Sequence, residues 1–192
     1  MVRKPSPEKR EQFLQAALKL FAEKGVQNTS TAVIAKEAGT AAGTLFLYFP
    51  TKQDLINQLA LNIGKEQSDF IKAILDSDLS SRETFLTIWE GSLRWFFEHR
   101  EAYKYYQQVR NSKLVDESVI QESNQYFDYF YIAIQKGFTE GALKPYPLEL
   151  IGEMLFESIV AVMNLIDAQP DSTKHEEYIR SGFEIFWNGI KI

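Results

Sequence analysis

The chain has 192 residues, a net charge of −5 and no cysteine, and 45% of its side chains are of types that bury readily. That composition supports a packed core, and it excludes disulfides, thiolate catalysis, sulfur-ligated zinc and, with only two histidines, a multi-histidine metal centre. Six prolines, ten glycines, no apolar run of membrane-spanning length and a charged N-terminus without a secretory signal predict a cytoplasmic helical protein that lies off the membrane and needs no metal or cofactor.

In chain order, Ser6-Pro7 is a helix start, with serine as N-cap and proline in the first turn. Phe13, Ala17, Leu20 and Phe21 follow at helical spacing until Gly25 supplies a left-handed stop. Ser30 caps a second segment with Val33, Ile34 and Ala38 on one face, closed by Gly39. A third helix is expected over Ala42 to Tyr48, before Pro50. Thr51 with Asp54 forms a capping box ahead of a long fourth helix, and Ser80 with Glu83 forms another ahead of Phe85 to His99. Helices are expected from about Glu101 to Ser112, from Asp116 to Glu140 with a Schellman ending at Gly141, from Leu148 to Asp167, and from Thr173, boxed by Glu176, to Gly189. The expected fold is all-α with about nine helices.

Charge is unevenly placed. Residues 1–64 carry +3 and residues 65–192 carry −8, so the acidic chain has a basic N-terminal portion suited to a polyanion. Within it, residues 30–49 read as helix, glycine-bearing turn, short helix, the order of a helix-turn-helix whose second helix enters the DNA major groove. Ile34, Ala35 and Ala38 give a low apolar face for a close crossing, and Gly39 permits positive φ at the corner. Leu45 and Phe49 point inward, and Gly43 lets a helix start approach a sugar-phosphate backbone. Arg3, Lys4, Lys9 and Arg10 sit on an arm and first turn, where a phosphate grip and a solvated charged terminus are both open.

Residues 10–59 resemble the N-terminal domain of the tetracycline-repressor (TetR) family of bacterial transcription regulators. The resemblance runs through residues 16–25 (Ala-Ala-Leu-Lys-Leu-Phe-Ala-Glu-Lys-Gly), 34–39 (Ile-Ala-Lys-Glu-Ala-Gly), 43–49 (Gly-Thr-Leu-Phe-Leu-Tyr-Phe) and 51–55 (Thr-Lys-Gln-Asp-Leu). It implies a three-helix DNA-binding head over 1–50, connected through helix four to a ligand-binding and dimerisation domain over 51–192. It further implies a homodimer that reads a palindromic operator and is released by a small ligand. Residue by residue, it carries DNA contact to Ala42, Gly43, Thr44, Phe46 and Tyr48 on the recognition helix, phosphate binding to Lys52, and the phosphate-facing start of helix two to Ser30 and Thr31. Two departures stand out: Phe46 replaces the family's usual tyrosine, and the recognition helix lacks the Arg, Asn or Gln that make bidentate base contacts. Thymine methyls and groove shape are the remaining means of readout.

Residues 65–192 hold 21 of the 26 aromatic side chains. Core packing is the default for each of them, but as a group they suggest a cavity for a small apolar or aromatic effector. The candidates are Trp89, Phe96, Tyr103, Tyr106, Tyr126, Phe127, Phe130 and Phe156, with Arg110, Glu90 or Asn124 to orient a polar head. The helix over 148–167 carries two stripes, Leu150-Met154-Glu157-Ala161-Leu165 and Ile151-Leu155-Ser158-Val162-Ile166. With the last helix they have the composition of an association surface, burial of the same stripes within one chain being the alternative, and Met154, Leu155, Ile159, Val162, Phe183, Phe186 and Trp187 are the expected dimer contacts. Phosphate loops, nucleophile elbows and paired metal ligands are absent, so an enzyme is not expected, and a small-molecule carrier without DNA function is the competing class.

Overall fold

A computed structural model of the chain describes residues 6–110, 112–169 and 171–192. The described residues form ten α-helices: α1 (Pro7–Lys24), α2 (Thr31–Glu37), α3 (Ala42–Leu45), α4 (Lys52–Ile74), α5 (Ser81–Glu98), α6 (Arg100–Val109), α7 (Glu117–Asn124), α8 (Asp128–Thr139), α9 (Leu148–Ala168) and α10 (His175–Ile190). They contain no strand; one antiparallel bridge joins Leu143 to Lys191. The stretch expected as one helix from Asp116 to Glu140 is broken by a 3-10 turn over Gln125–Phe127, which separates α7 from α8.

The start and stop chemistry acts largely as the residues predict. Ser6 Oγ accepts from Lys9 N–H at 3.2 Å, and Ser30 Oγ from Val33 N–H at 3.3 Å. The Thr51 hydroxyl and amide both donate to Asp54 while Thr51 Oγ1 accepts from Asp54 N–H, a complete capping box. Ser80 and Glu83 form the second. The Gly141 turn is a Schellman ending, with Ala142 N–H on Gly137 O and Gly141 N–H on Phe138 O. The last helix differs: Thr173 pairs with Asp171 in a 3-10 turn over Ser172–Lys174 rather than boxing with Glu176, and α10 begins at His175. Gly25 takes φ 90° with ψ 147°, an extended positive-φ conformation in place of the expected left-handed helical one.

Packing divides the chain into two compact units. One runs through Glu66 and takes up Glu98–Gln125; the other comprises Gln67–Phe97 and Tyr126–Ile192. The first is centred on Phe13, Leu20, Phe21, Ile34, Leu45, Phe49, Leu55 and Leu59, all buried. Phe13 meets Phe49 edge-on at 6.4 Å, and Phe21 of α1 stacks on Tyr105 of α6 at 6.0 Å. Burial raises the Tyr105 hydroxyl above the usual tyrosine range, and that hydroxyl donates to Ile56 O at 2.8 Å. The head is thereby extended by α6 beyond its three-helix motif.

In the second unit Phe85 and Trp89 of α5 pack against Phe183, Phe186 and Trp187 of α10, with ring centroids 5.8–6.1 Å apart. Gly182 makes this crossing possible, because a Cβ there would stand 2.6 Å from Val162 and 2.9 Å from the Trp89 ring. The six dimer candidates Leu155, Ile159, Val162, Phe183, Phe186 and Trp187 are therefore core residues of their own unit. A side chain buried within its own chain presents no surface to a second one. The two stripes of α9 separate on this point: Ile151, Leu155, Val162 and Ile166 face the core, whereas Leu150, Met154, Ala161 and Leu165 face outward.

Candidate nucleic-acid interface

The interface is built from the second and third helices and the start of α4. Ile34, Ala35, Leu45 and Phe49 are buried and fix α2 and α3 to α1. Gly39, at φ 66°, turns the corner between them, with Thr40 N–H and Oγ1 both donating to Ala35 O. Val33, expected to share a face with Ile34, is exposed while Ile34 is buried. The recognition segment is α-helical only over Ala42–Leu45; the rest of the expected helix winds on through tighter bonds, Leu47 N–H to Thr44 O and Tyr48 N–H to Leu45 O, before Pro50 ends it.

This arrangement leaves Ala42, Gly43, Phe46 and Leu47 exposed, with Thr44 half-buried beside them. Gly43 has open space where a side chain would stand. Leu47 is 62% exposed, more than Phe46 at 44%, although it is not among the expected DNA contacts. The signal for it is present in the chain: with Leu45 and Phe49 inward, the residue between them on the short turn has to face out. Tyr48 is less available than its neighbours, since its ring lies 5.4 Å from Phe13 and its hydroxyl accepts from Ser6 N–H at 3.0 Å.

Four of the residues to which the resemblance carries DNA contact, Ser30, Thr31, Phe46 and Lys52, line one shallow groove of about 440 Å³, together with Gln27, Asn28 and Thr29. Lys52 Nζ donates to Val26 O at 2.6 Å, and partial burial holds its pKa below the usual lysine value. One of its three ammonium donors is thus committed and two remain for a ligand. Among the described residues of the N-terminal arm, Lys9 is spent on Ala38 O and Gln12, while Arg10 donates to Gln58 and covers the Phe49 ring at 5.6 Å. Arg3 and Lys4 lie outside the described residues.

The effector candidates fall in both units. Trp89, Phe96 and Tyr103 are 0–1% exposed and belong to packed core; Trp89 Nε1 donates to Ile179 O, and Tyr103 OH accepts from Gln107. Tyr106 is half-buried with the Arg110 guanidinium 5.9 Å from its ring. In the second unit Tyr126, Phe127, Phe130 and Phe156 are half-buried, Phe130 lying edge-on to Phe85 at 5.8 Å. Glu90 and Asn124 are exposed and orient nothing inside. Gln67, which composition and spacing did not single out, is 5% exposed, and its Nε2 is buried without a hydrogen-bond partner.

Comparison with known proteins agrees with this geometry. Residues 13–59 match the family model described as bacterial regulatory proteins, tetR family. The HTH-type transcriptional regulator YvdT of Bacillus subtilis is 42% identical over 80 residues, 42% of this chain and 39% of that protein. The HTH-type transcriptional regulator LuxR of Vibrio harveyi is 34% identical over 84 residues, 43% of this chain and 41% of its own length. The chain thus spans about two fifths of the length of these two relatives. A crystal structure of a Shewanella sp. PV-4 protein assigned to the tetR family superposes with a TM-score of 0.89 at 30% identity, over 96% of this chain and 98% of that one. These relatives are regulators rather than enzymes, and among the described residues no helix is long and apolar enough to cross a membrane. With a helix-turn-helix head matched to the family model and an all-helical fold shared across the full chain, this protein belongs to the TetR family of bacterial transcriptional regulators.

Proposed function

We propose that the chain is a cytoplasmic, ligand-responsive repressor that binds a palindromic operator as a homodimer and leaves it when a small apolar or aromatic effector binds. Residues 1–50, joined by Lys52 at the start of α4, serve DNA, and the remainder of 51–192 serves chiefly effector binding and association. The observation that carries the DNA role is the set of exposed residues Ala42, Gly43, Phe46 and Leu47, with half-buried Thr44 beside them, next to a groove holding Ser30, Thr31 and Lys52. Lys52 and the start of α2 hold phosphates, which position the head without reading sequence. Ala42, Thr44, Phe46 and Leu47 supply methyl and ring contacts to thymine methyls, so operator half-sites are rich in A·T pairs at the contacted steps. Tyr48 supports the head first and offers DNA only its ring edge.

The dimer face comprises Leu150, Met154, Ala161 and Leu165 of α9 with Ile185 of α10, which is 77% exposed. For the effector, the half-buried aromatic group Tyr126, Phe127, Phe130 and Phe156 supplies apolar wall, and Gln67 Nε2 supplies a donor for one polar atom. Selection of bound fragments from random duplex DNA, followed by gel shift on the recovered site, tests the regulator against a carrier without DNA function. Recovery of a two-fold symmetric A·T-rich site is expected. Failure to enrich any sequence at low salt would favour the carrier.

A further inference from the structure

The groove lysine is held by the carbonyl of a residue whose N–H, on the preceding peptide, is held from the other side. Val26, 2% exposed, lies in the turn between α1 and α2. Its carbonyl accepts from Lys52 Nζ at 2.6 Å, and its N–H donates to Gln108 Oε1 at 2.8 Å. The other end of the same side-chain amide, Gln108 Nε2, donates to Phe21 O at 2.8 Å, at the end of α1. One amide on α6 therefore bridges a donor and an acceptor five residues apart across a turn that begins with a positive-φ glycine. Only a side chain carrying both an acceptor and a donor at this reach can do so.

We infer that Gln108 is a positioning residue for DNA binding: by fixing the backbone at Val26 it aims the Lys52 ammonium at the phosphate groove, although it touches no DNA itself. The inference rests on the proposed phosphate role of Lys52. Without the bridge, the turn after Gly25 is free to shift the backbone at Val26, and the lysine loses the fixed position of the carbonyl that anchors one of its three donors.

The test uses the full-length chain and a random-sequence duplex of about 30 base pairs, long enough for two half-sites a turn apart. Affinity is measured over a range of salt concentrations for wild type, Lys52→Met, Gln108→Met and the double variant, each with a melting curve. Lys52→Met should make the salt slope shallower by about 0.9 for each phosphate that is no longer neutralised. Gln108→Met should weaken binding and flatten the slope in the same direction, and adding it to Lys52→Met should cause no further loss. If Gln108→Met does not fold, Gln108→Asn, one methylene too short to reach both backbone groups, takes its place with the same expectation. A Gln108 variant that melts earlier but keeps the wild-type salt slope, or whose loss adds in full to that of Lys52→Met, overturns the positioning role. Wild type that binds the duplex while Lys52→Met leaves the slope unchanged overturns it too. Wild type that fails to bind duplex at low salt instead removes the DNA reading on which it rests.

Discussion

The outward stripe of α9 makes a quantitative prediction about association. Leu165 is 49% exposed in the single chain, so about half of its side chain remains to be covered by a partner. Full burial of a leucine contributes roughly 1.5–3 kcal/mol, so covering the remainder and then truncating it to alanine costs roughly 1 kcal/mol per copy. In a two-fold interface every substitution occurs twice, giving about 2 kcal/mol, or roughly a 30-fold weaker dimer. Leu165→Ala should therefore raise the dimer dissociation constant by that order in sedimentation equilibrium, with the monomer's helical content unchanged. Ile185→Ala, starting from 77% exposure, should cost more, while Leu155→Ala should lower the melting temperature, because Leu155 is 4% exposed and already buried within the chain. Val33→Ala, a similarly exposed apolar residue on the head, is the control and should leave association unchanged. If Leu165→Ala and Val33→Ala shift the dimer constant equally, the outward stripe is not the interface.

The remaining expectations concern single side chains. Phe46→Tyr places a hydroxyl in the groove that holds Lys52, and it should tighten binding to operator and scrambled duplex alike, since the added contact is to phosphate; an unchanged affinity in gel shift would place Phe46 away from the backbone. Tyr48→Phe removes the acceptor for Ser6 N–H, costing about 1 kcal/mol and so about 2–4 °C in melting temperature for a chain of this size, with the ratio of operator to scrambled affinity preserved. A fall in that ratio would instead give the hydroxyl a part in specificity. Gln67→Met removes a buried unpartnered nitrogen at similar volume and should raise the melting temperature by a few degrees, roughly 1 kcal/mol, whereas destabilisation would mean that the amide is satisfied in solution.

The turn and cap chemistry was legible because it is local. Ser6, Ser30, the Thr51–Asp54 box and the Gly141 ending are each decided by residues within four or five positions, and each forms the expected bonds. Thr173 misled because two acidic partners compete for it, and Asp171, two residues back, takes its hydroxyl before Glu176 can form a box. Gln108, by contrast, left no local trace. Besides Lys104 O on its own helix, the two backbone groups it bridges lie 82 and 87 residues away, and no periodicity or spacing in α6 distinguishes it from Gln107.

The α9 stripes show where pattern reading stops for a physical reason. Helical spacing fixes the angle between two side chains about the axis, and it recovers both rows, Leu150-Met154-Glu157-Ala161-Leu165 and Ile151-Leu155-Ser158-Val162-Ile166, as neighbouring faces. It does not by itself fix the rotation of the helix about that axis, since each row holds four apolar residues and one polar one, Glu157 or Ser158. The observed rotation fits a gap left by a residue on another helix. Gly182 of α10 leaves the space that Val162 Cγ2 and the Trp89 ring occupy, since a Cβ there would stand within 3 Å of each, and the Val162 row is buried while the Met154 row is turned out. An isolated chain gains nothing from a Leu, a Met and a second Leu half-exposed in one line, and their position opposite a well-packed row is what a second copy would cover. Restoring bulk at the crossing is therefore a stringent test of the proposed interface. Gly182→Val would place methyl groups where Val162 and Trp89 already stand, at a typical overpacking cost of about 1–3 kcal/mol. It should loosen the dimer along with the core, in contrast to Leu165→Ala, which should loosen the dimer alone. A Gly182→Val chain that melts earlier yet dimerises as tightly as wild type would break the link between the rotation of α9 and the surface it presents.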